Sequence, residues 1–162
     1  MEYSRVARLC CRAVAGTQDS PAADRRPGGR EIAQAIVALH RRFYGRGATR
    51  ARTYFVDDHL LIVELHDIFI TVEQSLVDRG QADTVRATRQ TFQSAMRDEF
   101  IHCIEELTGR RVENYESVVF VHPQMALEIF MLESPETQRE RVEREAAEDG
   151  GRPRPSAGID GV

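Results

Sequence analysis

The runs Ala51-Arg52-Thr53-Tyr54-Phe55-Val56 and Leu60-Leu61-Ile62-Val63-Glu64-Leu65, separated only by Asp57-Asp58-His59, decide the fold. Both are rich in aliphatic, β-branched and aromatic side chains, and the polar triplet between them makes a short turn, so together they predict a hairpin. A second pair lies further along: residues 112 to 121 and 126 to 132 read as strands joined by His122-Pro123-Gln124. Proline at that place both ends the ladder and sets the turn.

Helical patterns fill the space before and between the hairpins. Ile32, Ile36, Leu39 and Phe43 recur at i, i+4, i+7 and i+11, one stripe of a helix, and Gly45 supplies a left-handed stop after Tyr44. Thr71-Val72-Glu73-Gln74 fits a capping box with Thr71 at the N-cap, opening a short helix that stops at Gly80. Asp83 is the expected cap of a longer helix, in which Val85, Phe92, Met96, Phe100, Cys103, Ile104 and Leu107 share one face as far as Gly109. About 25 residues at 1.5 Å rise make a rod of roughly 37 Å, long enough to lie across a sheet. The order helix, hairpin, helices, hairpin predicts an α+β fold: a two-layer sandwich in which about three helices cover one face of an antiparallel sheet of about four strands.

This core spans residues 31 to 133, and composition separates it from both flanks. Residues 16 to 30 hold turn formers and charges without a large apolar side chain and read as a flexible linker. Ahead of it Val6, Leu9, Cys10, Ala13 and Val14 recur at helical spacing among arginines, a short basic segment. Residues 134 to 162 read as a disordered polar tail, in which 136 to 148 form at most a transient, solvated helix.

The chain has 162 residues and a formal net charge of −4, and is 41% hydrophobic and 30% charged. It contains no apolar run near the ~18 residues of a membrane-spanning helix. Three cysteines cannot staple a secreted scaffold, and no apolar h-region follows the N-terminal arginines, so the expected compartment is the cytoplasm. Every basic residue is arginine; with no lysine, Schiff-base chemistry and a P-loop are excluded. Charge is polarised, with 11 arginines against four acids in residues 1 to 56 and 11 against 22 thereafter. Such asymmetry steers an acidic partner to one side or cancels within the folded monomer.

Catalytic patterns are scarce. The histidines and cysteines have no zinc spacing, and there is no GxSxG, no P-loop and no GxGxxG after a strand. Glu99, His102 and Glu106 form one strip of a helix, half of a di-iron carboxylate motif, which is the basis of an alternative reading as a metal-dependent enzyme. Cys103, on the apolar stripe, reads as a buried, inert thiol.

One feature stands above this background. Arg41, Arg42, Arg46, Arg50 and Arg52, with His40, cluster in a stretch that has no acid from residue 32 to residue 56. With the backbone amides of the Gly45 to Gly47 turn they form a candidate surface for a small anion such as phosphate or bicarbonate, or for an acidic protein patch. Arginines near a helix C-terminus also serve the last carbonyls and the helix dipole. A nucleic-acid backbone is a further alternative, set against the net acidic charge and the lack of an aromatic-studded basic face. The helix start at Thr71 and Glu73 is a second candidate surface.

Four blocks carry a family resemblance: Tyr44-Gly45-Arg46-Gly47-Ala48 before a strand, Ile70-Thr71-Val72-Glu73-Gln74-Ser75-Leu76 after the hairpin, Val85-Arg86-Ala87-Thr88-Arg89, and Leu107-Thr108-Gly109-Arg110-Arg111-Val112 before the last hairpin. In this order the chain resembles the MpsC-type family, small bacterial domains named after a component of a Na+-translocating, membrane-potential-generating system. It departs from the family pattern at Ala48, where proline is expected, and at Asp67-Ile68-Phe69-Ile70, where a glycine is common. The resemblance implies an accessory or regulatory domain near membrane ion transport, and supplies no catalytic mechanism. The expectation is therefore a non-enzymatic module without metal or cofactor. Its partner would be a protein, such as part of a membrane transport system, or a small anion. Exposed strand edges add a homodimer to that expectation.

Overall fold

A computed structural model describes residues 28–150 of the chain. The linker and basic segment expected before residue 28, and the tail beyond residue 150, lie outside the described residues. Helix α1 (Gly29–Tyr44) leads into a hairpin of β1 (Arg50–Val56) and β2 (Leu60–His66). Helices α2 (Thr71–Val77), α3 (Ala82–Ala95) and α4 (Arg97–Thr108) follow. A second hairpin, β3 (Val112–Phe120) and β4 (Met125–Leu132), precedes helix α5 (Pro135–Gly150). The strands form one antiparallel sheet in the order β1-β2-β4-β3, so the two hairpins join along β2 and β4 and the edges are β1 and β3. The fold is the expected α+β class.

Strand periodicity sends alternate side chains to opposite faces. Leu61, Val63 and Leu65 on β2, with Ala126, Phe130 and Leu132 on β4, are buried under the helices. Ile32, Ile36 and Leu39 of α1 complete this core from above, with Val85 of α3 and Phe100, Cys103 and Ile104 of α4. Gly45 and Gly109 end their helices at φ 73° and 67°, the left-handed C-cap that glycine adopts without a Cβ penalty. Gly47 has a different reason to be glycine, because a Cβ there would stand 2.9 Å from Val37 Cγ1 and 3.0 Å from the Val37 carbonyl oxygen. Asp67 takes φ 55° after β2, one of the few non-glycine types that tolerates it. The His122–Pro123 peptide in the β3–β4 turn is cis.

Several expectations need correction. The single long helix is two, divided at Met96 (φ −100°, ψ 7°), whose N–H donates to the carbonyls of both Phe92 and Gln93. No glycine or proline marks the break. Both halves pack against β3 across this turn. Arg97, the first residue after the turn, donates to the Tyr115 carbonyl on β3. The buried face of α3 is also Val85, Arg89 and Gln93, leaving Phe92 exposed.

The caps differ as well. Ile70, not Thr71, is the N-cap of α2, and Glu73 at N3 accepts the Ile70 N–H at 2.9 Å. Isoleucine has no side-chain acceptor, so only this half of a capping box exists. Gln81 precedes α3, and Asp83 sits in its first turn paired with Arg86.

Finally, the segment assigned to a disordered tail is helical over Pro135–Gly150. Ser134 Oγ accepts the Thr137 N–H at 3.1 Å, Gln138 Nε2 donates to the Gly109 carbonyl, and Arg141 Nη2 lies 2.8 Å from Glu133 Oε1. Glu133 is itself buried and accepts the Arg111 N–H; the Arg141 hydrogen bond holds its carboxyl below the usual carboxylate range. A polar helix with little to bury is thus held by polar contacts: the Glu133–Arg141 ion pair, a helix cap, hydrogen bonds to the Gly109 carbonyl and the exposed Arg111–Glu145 pair.

Candidate functional site

The structure divides the arginine cluster. Residues 30, 33, 34, 37, 38 and 41 recur at helical spacing and form a second stripe of α1, distinct from its core stripe. This stripe and edge strand β1 bound a groove of 670 Å³ with a floor of Ala33, Val37, Ala38, Ala48 and Ala51. Arg30, Arg41 and Arg52 line it, and no acid does. The other arginines point elsewhere. Arg46 Nη1 donates to the Phe69 carbonyl at 3.0 Å and ties the Gly45–Gly47 turn to the segment before α2. Arg50, 72% exposed, lies 4.0 Å from Asp67. Arg42 rests on the Phe43 ring, 5.2 Å from its centroid. Arg30, left in the linker by composition, belongs to the groove, and its spacing from Arg41 is the signal that would have found it.

His40 is not part of this surface. It is buried beneath α1, where Nε2–H donates to Glu128 Oε1 at 3.0 Å, and the Tyr115 hydroxyl donates to Glu128 Oε2 at 2.6 Å. Two donors on one fully buried carboxylate bind α1, β3 and β4 together. Burial, then the Glu128 charge, pushes the Tyr115 hydroxyl well above the ordinary tyrosine range.

Glu73, one of the two residues of the second candidate surface, is likewise buried. Its carboxylate takes two hydrogen bonds from Arg89, Nε at 2.9 Å and Nη2 at 2.7 Å, and Nη2 also reaches the Ile68 carbonyl at 2.6 Å. Arg89 is 0% exposed and stacks on Tyr44, 4.4 Å from the ring centroid, and on Phe69. Burial raises Tyr44 to about 12. Thr71 stays on the surface, where its carbonyl accepts the Ser75 hydroxyl. Thr71 and Glu73 therefore do not form a common surface. Sequence reasoning missed Arg89, Gln93 and Glu128; the i, i+4, i+8 spacing of Val85, Arg89 and Gln93 was a signal, masked by the polar character of two of the three.

Beyond Arg89, Gln93 is buried with both amide atoms unpaired, and it faces a 360 Å³ pocket beside β3 that Arg97 also lines. The Glu99, His102 and Glu106 strip is not assembled into a centre: His102 Nε2 pairs with Glu106 at 3.1 Å on the half-exposed side of α4. Among the described residues, no three His, Cys, Asp or Glu side chains converge as a metal cluster. No helix among them is long and apolar enough to cross a membrane.

Fold and surface together define a small two-layer α+β domain whose accessible charged feature is an arginine-lined groove beside an edge strand. Residues 28–134 match the family model described as "Na+-translocating membrane potential-generating system (MpsC)", and the chain belongs to that family. No curated protein and no solved structure matches it.

Proposed function

We propose that this protein is a non-enzymatic accessory or regulatory module of a Na+-translocating, membrane-potential-generating system, and that it works by holding an acidic segment of a protein partner in the groove between α1 and β1. The observation that carries this reading is the lining: three arginines from two elements around a small-residue floor, with no carboxylate among the lining residues. Guanidinium forks suit carboxylate partners, and the alanines admit a backbone at close range. A groove open along an edge strand fits an extended chain better than a single enclosed anion.

The test is a titration of the full chain with a fluorescent Glu-rich peptide and, in parallel, a Gln-rich control. The wild type binds the acidic peptide, more weakly as salt rises. The Arg30→Glu, Arg41→Glu double variant loses at least about tenfold, roughly 1.4 kcal/mol, with its urea midpoint unchanged. Competition by phosphate or bicarbonate at low millimolar levels would identify a small-anion site instead. Equal peptide binding by wild type and a folded double variant refutes the proposal.

A further inference from the structure

The helices cover only one face of the sheet. On the other, the register aligns Tyr54, Ile62, Ile129 and Glu116 in one row across the four strands, and Val56, Leu60, Met131 and Asn114 in the next. The rows on the other side of Tyr54 are Arg52, Glu64, Leu127 and Val118, then Arg50, His66, Met125 and Phe120. This face is mostly large and apolar. Val56, Val118, Phe120 and Met131 are each 39–42% exposed. Monomers rarely leave an apolar patch of more than a few hundred Å² uncovered. Four strands about 4.8 Å apart and seven residues long at about 3.3 Å each give roughly 440 Å² in projection. With side-chain relief, that reaches the order of the ~800 Å² per partner of a standard interface.

We propose that this face binds a second copy of the chain, sheet against sheet, about a twofold axis parallel to the strands. The charges choose both the occupant and the axis. At one edge β1 places Arg50 and Arg52 on this face, and at the other β3 places Glu116 there. A twofold parallel to the strands lays β1 over β3 of the second copy, so Arg52 comes within one row of Glu116, twice per dimer. It also lays β2 over β4, with Ile62 against Ile129 at the centre. A centred twofold perpendicular to the strands would instead lay β1 over β1, bringing Arg52 within one row of its own counterpart and Glu116 within one row of its own. The remaining polar groups are satisfied within the chain: Glu64 accepts from the Tyr54 hydroxyl at 2.8 Å and pairs with His66 at 2.6 Å.

Sedimentation velocity of the full chain across a concentration series tests this. The wild type sediments as a dimer, and Ile129→Glu as a folded monomer by circular dichroism. Should Ile129→Glu fail to fold, the exposed edge variants decide the question: Arg52→Glu and Glu116→Arg each raise the dimer Kd about tenfold or more, and the two together restore it. A wild type that is monomeric at all concentrations overturns the proposal. Flotation of that monomer with phosphatidylglycerol vesicles would assign the face to lipid, and dimerisation appearing only on removal of residues 1–27 would assign it to that segment; either outcome also overturns it. Additive loss in the charge-swapped pair overturns the axis. Arg52 lines the groove as well as this edge, so the groove reading is tested on Arg30 and Arg41 of α1 and the dimer on Ile129 and Glu116, and failure of one is distinguishable from failure of the other.

Discussion

Replacing Arg89 by methionine tests whether the buried Glu73–Arg89 pair holds the helical layer together. Arg89→Met keeps an unbranched apolar stem against Tyr44 and Phe69 but removes three hydrogen bonds, two to Glu73 and one to the Ile68 carbonyl. Glu73, 8% exposed, is left with the Ile70 N–H as its remaining donor. Removing one partner of a buried pair costs about 3–5 kcal/mol, because the other charge stays behind without compensation. With an m-value of about 2 kcal/mol/M, the urea midpoint falls by about 1.5–2.5 M. The assay is urea unfolding followed by circular dichroism at pH 7, at one fixed protein concentration because self-association shifts apparent stability. A second variant separates the stranded charge from lost packing. Adding Glu73→Gln to Arg89→Met removes the charge, keeps an acceptor for the Ile70 N–H, and recovers at least about 1 kcal/mol. A loss below about 1 kcal/mol in Arg89→Met, or no recovery in the double variant, would refute the reasoning.

Alkaline titration should reveal Tyr44 and Tyr115. Burial raises both, Tyr44 to about 12, whereas an unfolded tyrosine ionises near about 10. The folded state therefore retains protons that the unfolded state releases, so this stability is complete below pH ~10 and is lost as the pH climbs toward Tyr44's folded value. Tyrosinate absorbance from these two residues, identified by its absence in Tyr44→Phe and Tyr115→Phe, should rise only as the far-ultraviolet signal collapses; ionisation near pH 10 in folded protein would contradict this. Gly47→Ala should lose about 1–3 kcal/mol by overpacking Val37, read as a lowered urea midpoint, and an unchanged midpoint would show that the turn gives way freely.

Local pattern made most of the fold legible. The period-two runs of the two hairpins, the α1 stripe ending at Gly45 and the stops at Gly80 and Gly109 are signals written over a few residues each, and each element stands where they place it. Ser134-Pro135 ahead of a polar stretch was a legible helix start too, yet the low hydrophobicity of residues 136 to 148 masked it. The division at Met96 had no local mark, since no glycine or proline stands there and the packing of both halves against β3 joins residues far apart in the chain. The site was less legible than the fold. Spacing of basic residues marked Arg41 and Arg52 for the groove, but grouped them with Arg42, Arg46 and Arg50, which tertiary contacts turn to a ring, a carbonyl and a carboxylate.

Sequence by itself therefore determined the element types, the α+β class and the family, because backbone periodicity and turn chemistry act between residues a few positions apart. Tertiary structure alone decided which charges are free. Whether an arginine meets solvent or a buried carboxylate depends on contacts such as Arg89 with Glu73, 16 positions away, or His40 with Glu128, 88 positions away. The uncovered apolar face is of the same kind: each strand shows its own alternation, but only the β1-β2-β4-β3 order assembles the outward residues into one surface, with its arginines at one edge and its glutamate at the other.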